Sequence, residues 1–302
     1  MAETQRQLNA WHRITSIAAI TIITFVGFEA LLYINNLYQP AQYIKLSIGI
    51  YLIMVFWLVF LFDLHYKNIL TGHKGTFLQA LRHRFHYVFN WEHFRHFQTY
   101  MILPGIIYWG TVILLGINFG HNTLLQFLAV CSSLALIMAF SMLKEIFHAK
   151  QSPIKNQHFL VLGYVKLYAT WLIFSAALGI VWFYCFPPHI FYLVVYLSTF
   201  MLLYQALFQF SNVRFRNVVL VVLISLAVSI GSIFVYQYWN VNYFSAGLFL
   251  TAIYNLFWGL MFHHMNKTLS RNAILEQAAI FVLIVVMVFG VTNFHAKILR
   301  CF

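Results

Sequence analysis

The chain has 302 residues, of which 62% are hydrophobic and only 8% are charged. A soluble globular domain does not have this composition, and runs of about 20 apolar residues, each long enough to cross a bilayer, recur along the chain. The formal net charge of +12 therefore indicates basic loops beside a membrane and gives no reason to expect nucleic acid as a partner.

The hydrophobic runs predict an all-α polytopic integral membrane helical bundle with about eight or nine transmembrane helices. We treat residues 1–302 as a single transmembrane domain, because no linker or low-complexity tract separates the runs. The predicted spans are 11–35, 42–64, 99–118, 122–147, 157–186, 189–210, 218–239, 243–262 and 273–293. Nine full spans would place the C-terminus outside together with Lys297 and Arg300, so an incomplete last crossing is the alternative.

Basic residues predict the orientation of the chain in a cell inner or plasma membrane. They collect in alternate connections, at Arg6, Arg13, Lys67, Lys74, Arg82, Arg84, Arg95, Lys144, Lys150, Lys155, Arg214, Arg216, Lys267 and Arg271. Cytoplasmic loops of membrane proteins carry this excess, so we expect a cytoplasmic N-terminus.

The stretch over about 76–98 is too polar to lie within lipid. At 100° per residue, one side of a helix here would carry Gln79, Arg82, His83, His86, Asn90 and His93. Apolar side chains such as Phe85 and Phe89 would occupy the other side. The pattern predicts one amphipathic helix lying at the membrane interface.

Eleven of the 14 histidines belong to the predicted cytoplasmic face, and three of the six carboxylates lie within three residues of one of them. Pairs such as Glu145 and His148 share one helical face, a spacing that metal sites in helical bundles use. The candidate metal ligands are His65, His83, His86, His93, His96, His148, His263, His264, Glu92, Glu145 and Asp63. Imidazole and carboxylate ligands suit iron, as two ions, or zinc. A structural histidine belt at the interface is the competing interpretation.

Haem is not predicted, because no histidine lies near the middle of a span, where axial ligands would be needed. Three other polar features lie within spans. Lys166 either extends to the cytoplasmic face or has a transport or Schiff-base role, and Glu29 is either interfacial or functional. The group Tyr254, Asn255 and Trp258 either joins helices or lines a pocket leading to His263.

Cys131, Cys185 and Cys301 form no spaced motif, and we expect free apolar thiols. Glu276 is expected in the first turn of the last helix, where an acid favours the helix dipole.

The histidine-rich face is loosely similar to that of the membrane desaturases and hydroxylases, which hold two irons in histidine boxes; their HxxHH pattern is absent here. With Asp63 as its single aspartate, the chain lacks the aspartate-rich loops of intramembrane prenyltransferases. We therefore expect a metal-dependent, oxygen-using oxidoreductase whose lipid or isoprenoid substrate enters from the bilayer. A small-molecule or ion transporter and a non-catalytic subunit of a membrane complex are the alternatives. Membrane lipids are the expected partners.

Overall fold

The computed structural model describes the backbone of residues 2–37, 39–66, 79, 91–118, 122–148, 154–209, 213–239 and 241–292. It describes side chains over 18–37, 39–58, 79, 97–98, 100–118, 123–142, 161–208, 213–239 and 241–292. Within these residues the chain forms nine α-helices, and each is long and apolar enough to cross a bilayer. The predicted all-α polytopic bundle is confirmed.

The described chain divides into two compact units, and two of its helices have residues in both. Unit 1 comprises Met1–Tyr108 and Asn118–Leu162, and unit 2 comprises Trp109–Ile117 and Gly163–Phe302. The first four helices are α1 (Ala2–Asn36), α2 (Pro40–Tyr66), α3 (Trp91–Ile117) and α4 (Asn122–His148). The last five are α5 (Ile154–Tyr184), α6 (Pro188–Gln209), α7 (Phe215–Tyr238), α8 (Tyr243–Met265) and α9 (Arg271–Val291). That the whole chain forms one domain stays a prediction.

In unit 1, α1 packs against both α2 and α4. The core next to these contacts is aromatic: the Tyr108 ring stacks on Phe28, with centroids 5.8 Å apart, and lies 5.5 Å from the Tyr51 ring. The Tyr108 hydroxyl donates a 2.6 Å hydrogen bond to the Ser47 carbonyl. A buried tyrosine needs such an acceptor, since its hydroxyl would otherwise lie in hydrocarbon without a hydrogen bond.

In unit 2, α6 packs against α7, α7 packs against α8, and α8 packs against α9. The membrane-spanning part of α5 has 67% of its residues buried, whereas that of α9 has 6%. Helix α5 is therefore largely buried, whereas α9 has an apolar surface suited to lipid.

The last part of the predicted interfacial helix is the first part of α3. Helix α3 begins at Trp91 and continues without interruption through the predicted span to Ile117. The change from polar to apolar sequence at Gln98 therefore marks a change of environment along one helix. Gln79 is also helical, and residues 76–78 and 80–90 lie outside the described residues.

Helix α9 begins at Arg271, and the Ser270 hydroxyl caps it by accepting a hydrogen bond from the Ala273 amide at 3.2 Å. The expected place of Glu276 in the first turn is therefore wrong, because the capped helix starts five residues earlier. Serine at this position satisfies an amide that has no partner within the helix.

The expectation of free thiols is wrong for Cys185, which is disulfide-bonded. Cys131 is free, and Cys301 lies outside the described residues. Cys185 follows the last residue of α5 and has a positive φ of 55°, so it lies in a turn and not within an apolar span. The spacing of the cysteines did not predict this disulfide, because pairing depends on which parts of the folded chain lie close together.

Candidate intramembrane binding site

The candidate metal ligands divide into three groups in the structure. His65, Asp63, Glu92, His93, His96, Glu145 and His148 lie on described helix backbone near the ends of α2, α3 and α4, and their side chains lie outside the described set. His83 and His86 lie outside the described residues. His263 and His264 are described in full, in the last turn of α8. Among described side chains, no group of three or more His, Cys, Asp or Glu could hold a metal ion, and the metal site stays a prediction.

His263 takes part in the end of α8. The Thr268 amide donates to the His263 carbonyl at 2.9 Å, and the Lys267 amide donates to the His264 carbonyl at 3.2 Å. Lys267 has φ 57°. These bonds form a Schellman motif, which satisfies carbonyls that the helix leaves open. The His263 Nδ1 also lies 3.0 Å from the Thr268 hydroxyl, so Nε2 is the ring nitrogen left for any metal.

Among the described side chains, Lys166 is the one Lys, Arg, Asp or Glu that is buried, with only 1% of its surface exposed. Its ammonium group lies 5.0 Å from the centroid of the Trp258 ring, within the range of a cation–π contact. The side chain therefore does not extend to the membrane surface, and that expectation is wrong. The Trp258 ring on α8 is the neighbour that its amine meets inside the bundle.

Small residues bring α5 and α8 close enough for this contact. A Cβ placed at Gly163 would lie 3.9 Å from the Trp258 ring nitrogen. Nearer the other end of the same helix pair, a Cβ at Gly247 would lie 2.8 Å from the backbone nitrogen of Ser175. In a membrane, where lipid is as apolar as the side chains, such close backbone packing is a main source of helix association.

A groove of about 280 Å³ lies in unit 2. It is lined by residues of α5, α8 and α9, namely Leu167, Tyr168, Trp171, Leu248, Thr251, Ala252, Asn255 and Ile284. All of them belong to candidate membrane spans. Leu248 is 41% exposed, so the groove reaches the lateral surface of unit 2 and does not form an enclosed cavity.

The groove wall is mainly apolar and aromatic, with two polar residues. The Thr251 hydroxyl donates to the Gly247 carbonyl at 2.8 Å, and almost none of the surface that faces the groove is polar. Trp171 is fixed in the wall because its ring nitrogen donates to the Phe244 carbonyl at 3.2 Å. An apolar groove of this kind favours a hydrophobic ligand.

Unit 2 has a basic end and an aromatic end. Exposed Arg214, Arg216, Lys267 and Arg271 mark the basic end, and Tyr238, Trp239 and Tyr243 mark the aromatic end. Trp258 lies seven residues before Met265, the last residue of α8, which places it about 10 Å inside the basic end. Asn255 and then Leu248 follow toward the aromatic end. Along α8, Trp258 is therefore nearer to the basic end than the groove residues are.

Glu29, in unit 1, is exposed and accepts a 3.3 Å hydrogen bond from the Gln126 side chain on α4. This contact joins α1 to α4 close to the end where α4 begins. It favours the interfacial interpretation of Glu29, because a carboxylate near a helix end can reach headgroups and water.

Sequence reasoning singled out Lys166, Asn255 and Trp258 but not the groove itself. The missed lining residues, such as Leu167, Leu248 and Ile284, are ordinary span residues in the sequence. Their common position depends on how three helices meet, and no local pattern reports that. Polar residues at a spacing of three or four within α8 were the available signal.

The nine helices and the groove at hydrocarbon depth define a polytopic α-helical membrane protein. Comparison with protein-family models, with curated proteins and with solved structures gives no match.

Proposed function

We propose that this chain is an integral membrane enzyme that takes a lipid-like substrate from the bilayer and oxidises it with molecular oxygen at a metal site. The observation that carries the lipid part is the groove between α5, α8 and α9, which is apolar, lies within membrane spans and reaches the lateral surface at Leu248. A ligand dissolved in the bilayer could enter such a groove without passing through water.

The metal part of the proposal is supported by residue placement in the sequence. His93, His96 and Glu92 fall in the first two turns of α3, while Glu145 and His148 fall in the last turn of α4. The start of α3 and the end of α4 both adjoin connections that are rich in Lys and Arg. Histidine and carboxylate donors of this kind would suit two irons or a zinc ion, with no thiolate needed.

Elemental analysis tests the metal part on protein purified without a chelator or a histidine tag. We expect about one or two iron or zinc ions per chain, lost in the His93→Ala/His148→Ala double variant. His189→Ala is the matched control, because His189 lies at the start of α6, at the aromatic end. A metal-free protein after gentle purification and reloading would end the metal proposal and leave the lipid part standing.

Photocrosslinking tests the lipid part on the protein in nanodiscs, with a diazirine-bearing long-chain alcohol as the probe. We expect labelled peptides from α5 and α8 around the groove and a marked loss of label in Leu248→Trp, because the indole would fill the groove. Leu283→Trp is the matched control, since Leu283 is an exposed leucine of α9 that does not line the groove. Equal labelling of both variants would contradict the proposal.

A second candidate function is a carrier for an anionic small molecule, favoured by the burial of Lys166 within a span. Ionisable groups at such depth often mark transport pathways. Uptake of a labelled substrate into proteoliposomes would support the carrier, whereas chemical conversion without uptake would support the enzyme.

We also propose that the basic end faces the cytoplasm of a cell inner or plasma membrane, with the N-terminus on the same side. The exposed Arg214, Arg216, Lys267 and Arg271 support this. The disulfide at Cys185 supports it independently, because Cys185 follows α5 at the aromatic end. Disulfides persist on the oxidising side of such a membrane.

A further inference from the structure

We infer that two copies of this chain associate side by side in the membrane through a lateral face of unit 1, with Glu29 of each copy paired with Lys45 of the other. The face consists of two neighbouring stripes, one on α1 and one on α2, and its partner is a second copy of the same chain. Neither the metal site nor the groove of the proposed function takes part in this contact.

Glu29 and Lys45 are opposite charges at nearly the same depth in the bilayer. Helix α1 ends at Asn36 and α2 begins at Pro40, so these two helix ends lie at one membrane surface. Glu29 lies seven residues before Asn36, which places it about 10 Å from that surface. Lys45 lies five residues after Pro40, at a depth of about 8 Å. Both side chains are exposed on the lateral surface of unit 1.

The described part of the same chain does not neutralise either charge. Glu29 accepts a 3.3 Å hydrogen bond from the neutral amide of Gln126, and no ion pair among the described residues includes Glu29 or Lys45. A charge at this depth is costly unless it reaches water or meets an opposite charge. A second copy in the same orientation brings an opposite charge to each of them at the required depth.

A two-fold axis along the membrane normal is the arrangement that forms both pairs at once. It keeps the two copies in one orientation, so that residues of α1 meet residues of α2 at a similar depth. Glu29 of the first copy then faces Lys45 of the second, and Lys45 of the first faces Glu29 of the second. The contact therefore closes as a dimer.

The stripe on α2 has small residues on either side of Lys45. Ala41 lies one turn before it and Gly49 one turn after it, on the same side of the helix. A Cβ placed at Gly49 would meet nothing within 4 Å, so the space beside this glycine is open. Small residues on a lipid-facing surface allow a neighbouring helix to approach closely.

The stripe on α1 carries larger side chains at the matching depths. Val26 and Tyr33 lie about one turn on either side of Glu29, and both are well exposed. In the two-fold arrangement, Tyr33 lies opposite the small side chain of Ala41. Val26 lies opposite Gly49, because the residues of each pair are within about 3 Å of the same depth. Shape and charge therefore select the same partner.

Association of the full chain in liposomes tests the inference. Copies that carry a donor or an acceptor fluorophore are reconstituted together at decreasing protein-to-lipid ratios, and energy transfer between them measures the monomer–dimer equilibrium. We expect a dimer in the unmodified protein. Glu29→Lys and Lys45→Glu, each prepared alone, should weaken it about tenfold or more, because each places like charges opposite one another.

Mixing the two single variants identifies the pairing. A copy with Glu29→Lys and a copy with Lys45→Glu bring opposite charges together at both contacts, so the mixture should regain the affinity of the unmodified protein. The double variant Glu29→Lys/Lys45→Glu should regain it as well. Glu276→Lys, the same change at an exposed glutamate of α9, is the matched control and should leave the dimer unchanged.

The outcomes decide between a contact of two copies and a contact within one chain. Recovery in the mixture supports the inference and shows that both variants are folded. Recovery in the double variant but not in the mixture would place the Glu29–Lys45 contact within one chain and overturn the inference. A protein that stays monomeric at the highest protein-to-lipid ratio overturns it too, as does a dimer that both single variants retain.

A further variant covers the case in which the charge-reversal variants do not fold. Glu29→Gln removes the charge, keeps the size of the side chain and can still bond to Gln126, so it should weaken the dimer in a folded protein. A dimer of full strength in Glu29→Gln would overturn the pairing. Stepwise photobleaching gives the number of copies in each complex, and three or more would overturn the two-fold arrangement.

Discussion

The ammonium group of Lys166 lies 5.0 Å from the centroid of the Trp258 ring, which joins α5 to α8 across 92 residues of sequence. Lys166 is almost completely buried, so this contact places an amine against an indole ring inside unit 2. The pair therefore belongs to the packing between α5 and α8.

A double-mutant cycle on Lys166 and Trp258 should show coupling. We expect Lys166→Met and Trp258→Leu together to change the free energy of unfolding by about 1–2 kcal/mol less than the sum of the single changes, since a desolvated cation–π contact has this strength. Reversible unfolding in mixed micelles measures it. Trp258→Phe keeps a ring and should retain part of the coupling; strictly additive effects would contradict a direct contact.

Gly247→Ala should destabilise the protein by about 1–3 kcal/mol, because the added methyl group would meet the backbone of Ser175, which cannot rotate away. The matched control is Gly290→Ala on α9, where nothing lies within 4 Å of the added Cβ. That change should be neutral or stabilising by a few tenths of a kcal/mol, since alanine is the better helix former. Thermal melting in detergent compares the two, and a melting temperature of Gly247→Ala equal to that of the control would count against close α5–α8 packing.

Tyr108→Phe should cost about 0.5–1.5 kcal/mol of stability. The substitution keeps the ring that stacks on Phe28 and removes the hydroxyl that donates to the Ser47 carbonyl. Tyr108→Leu also removes the ring and should cost more, by about 1–3 kcal/mol further. Urea or SDS unfolding in mixed micelles measures both. Equal losses in the two variants would show that the ring contributes nothing to the core of unit 1.

The disulfide at Cys185 should respond to reagents added from outside the cell. In intact cells, an impermeant reductant followed by an impermeant maleimide should label Cys185, because the aromatic end is proposed to face outward. Peptide mapping distinguishes the labelled positions: Cys185→Ser should lose the label at residue 185 and expose the former partner thiol to the maleimide without reductant. Cys131→Ser, the change of a free thiol within α4, should keep the label at Cys185. Labelling of Cys185 only after the cells are opened would reverse the proposed orientation.

The amino-acid sequence by itself determined the class of fold. Nine runs of about 20 apolar residues can lower their free energy only by forming helices within lipid, because every backbone polar group must then find its partner inside its own segment. The same local rule places the histidines His263 and His264 at the end of α8, where the apolar run stops. The order of apolar and polar residues along the chain was therefore enough to predict the fold class and the approximate helix ends. It also showed that basic residues collect in one set of connections.

Three features could be recognised only from the tertiary structure: the burial of Lys166, the disulfide at Cys185 and the groove. A lysine near a helix end can extend to water or remain inside, and only the neighbouring Trp258 shows that it remains inside. The bonding of Cys185 depends on a partner cysteine elsewhere in the chain. The groove wall formed by Leu167, Leu248 and Ile284 depends on contacts between helices distant in sequence. Hydrophobicity fixes how deep a segment lies in the bilayer but not which neighbour it meets, because lipid and protein interiors are equally apolar.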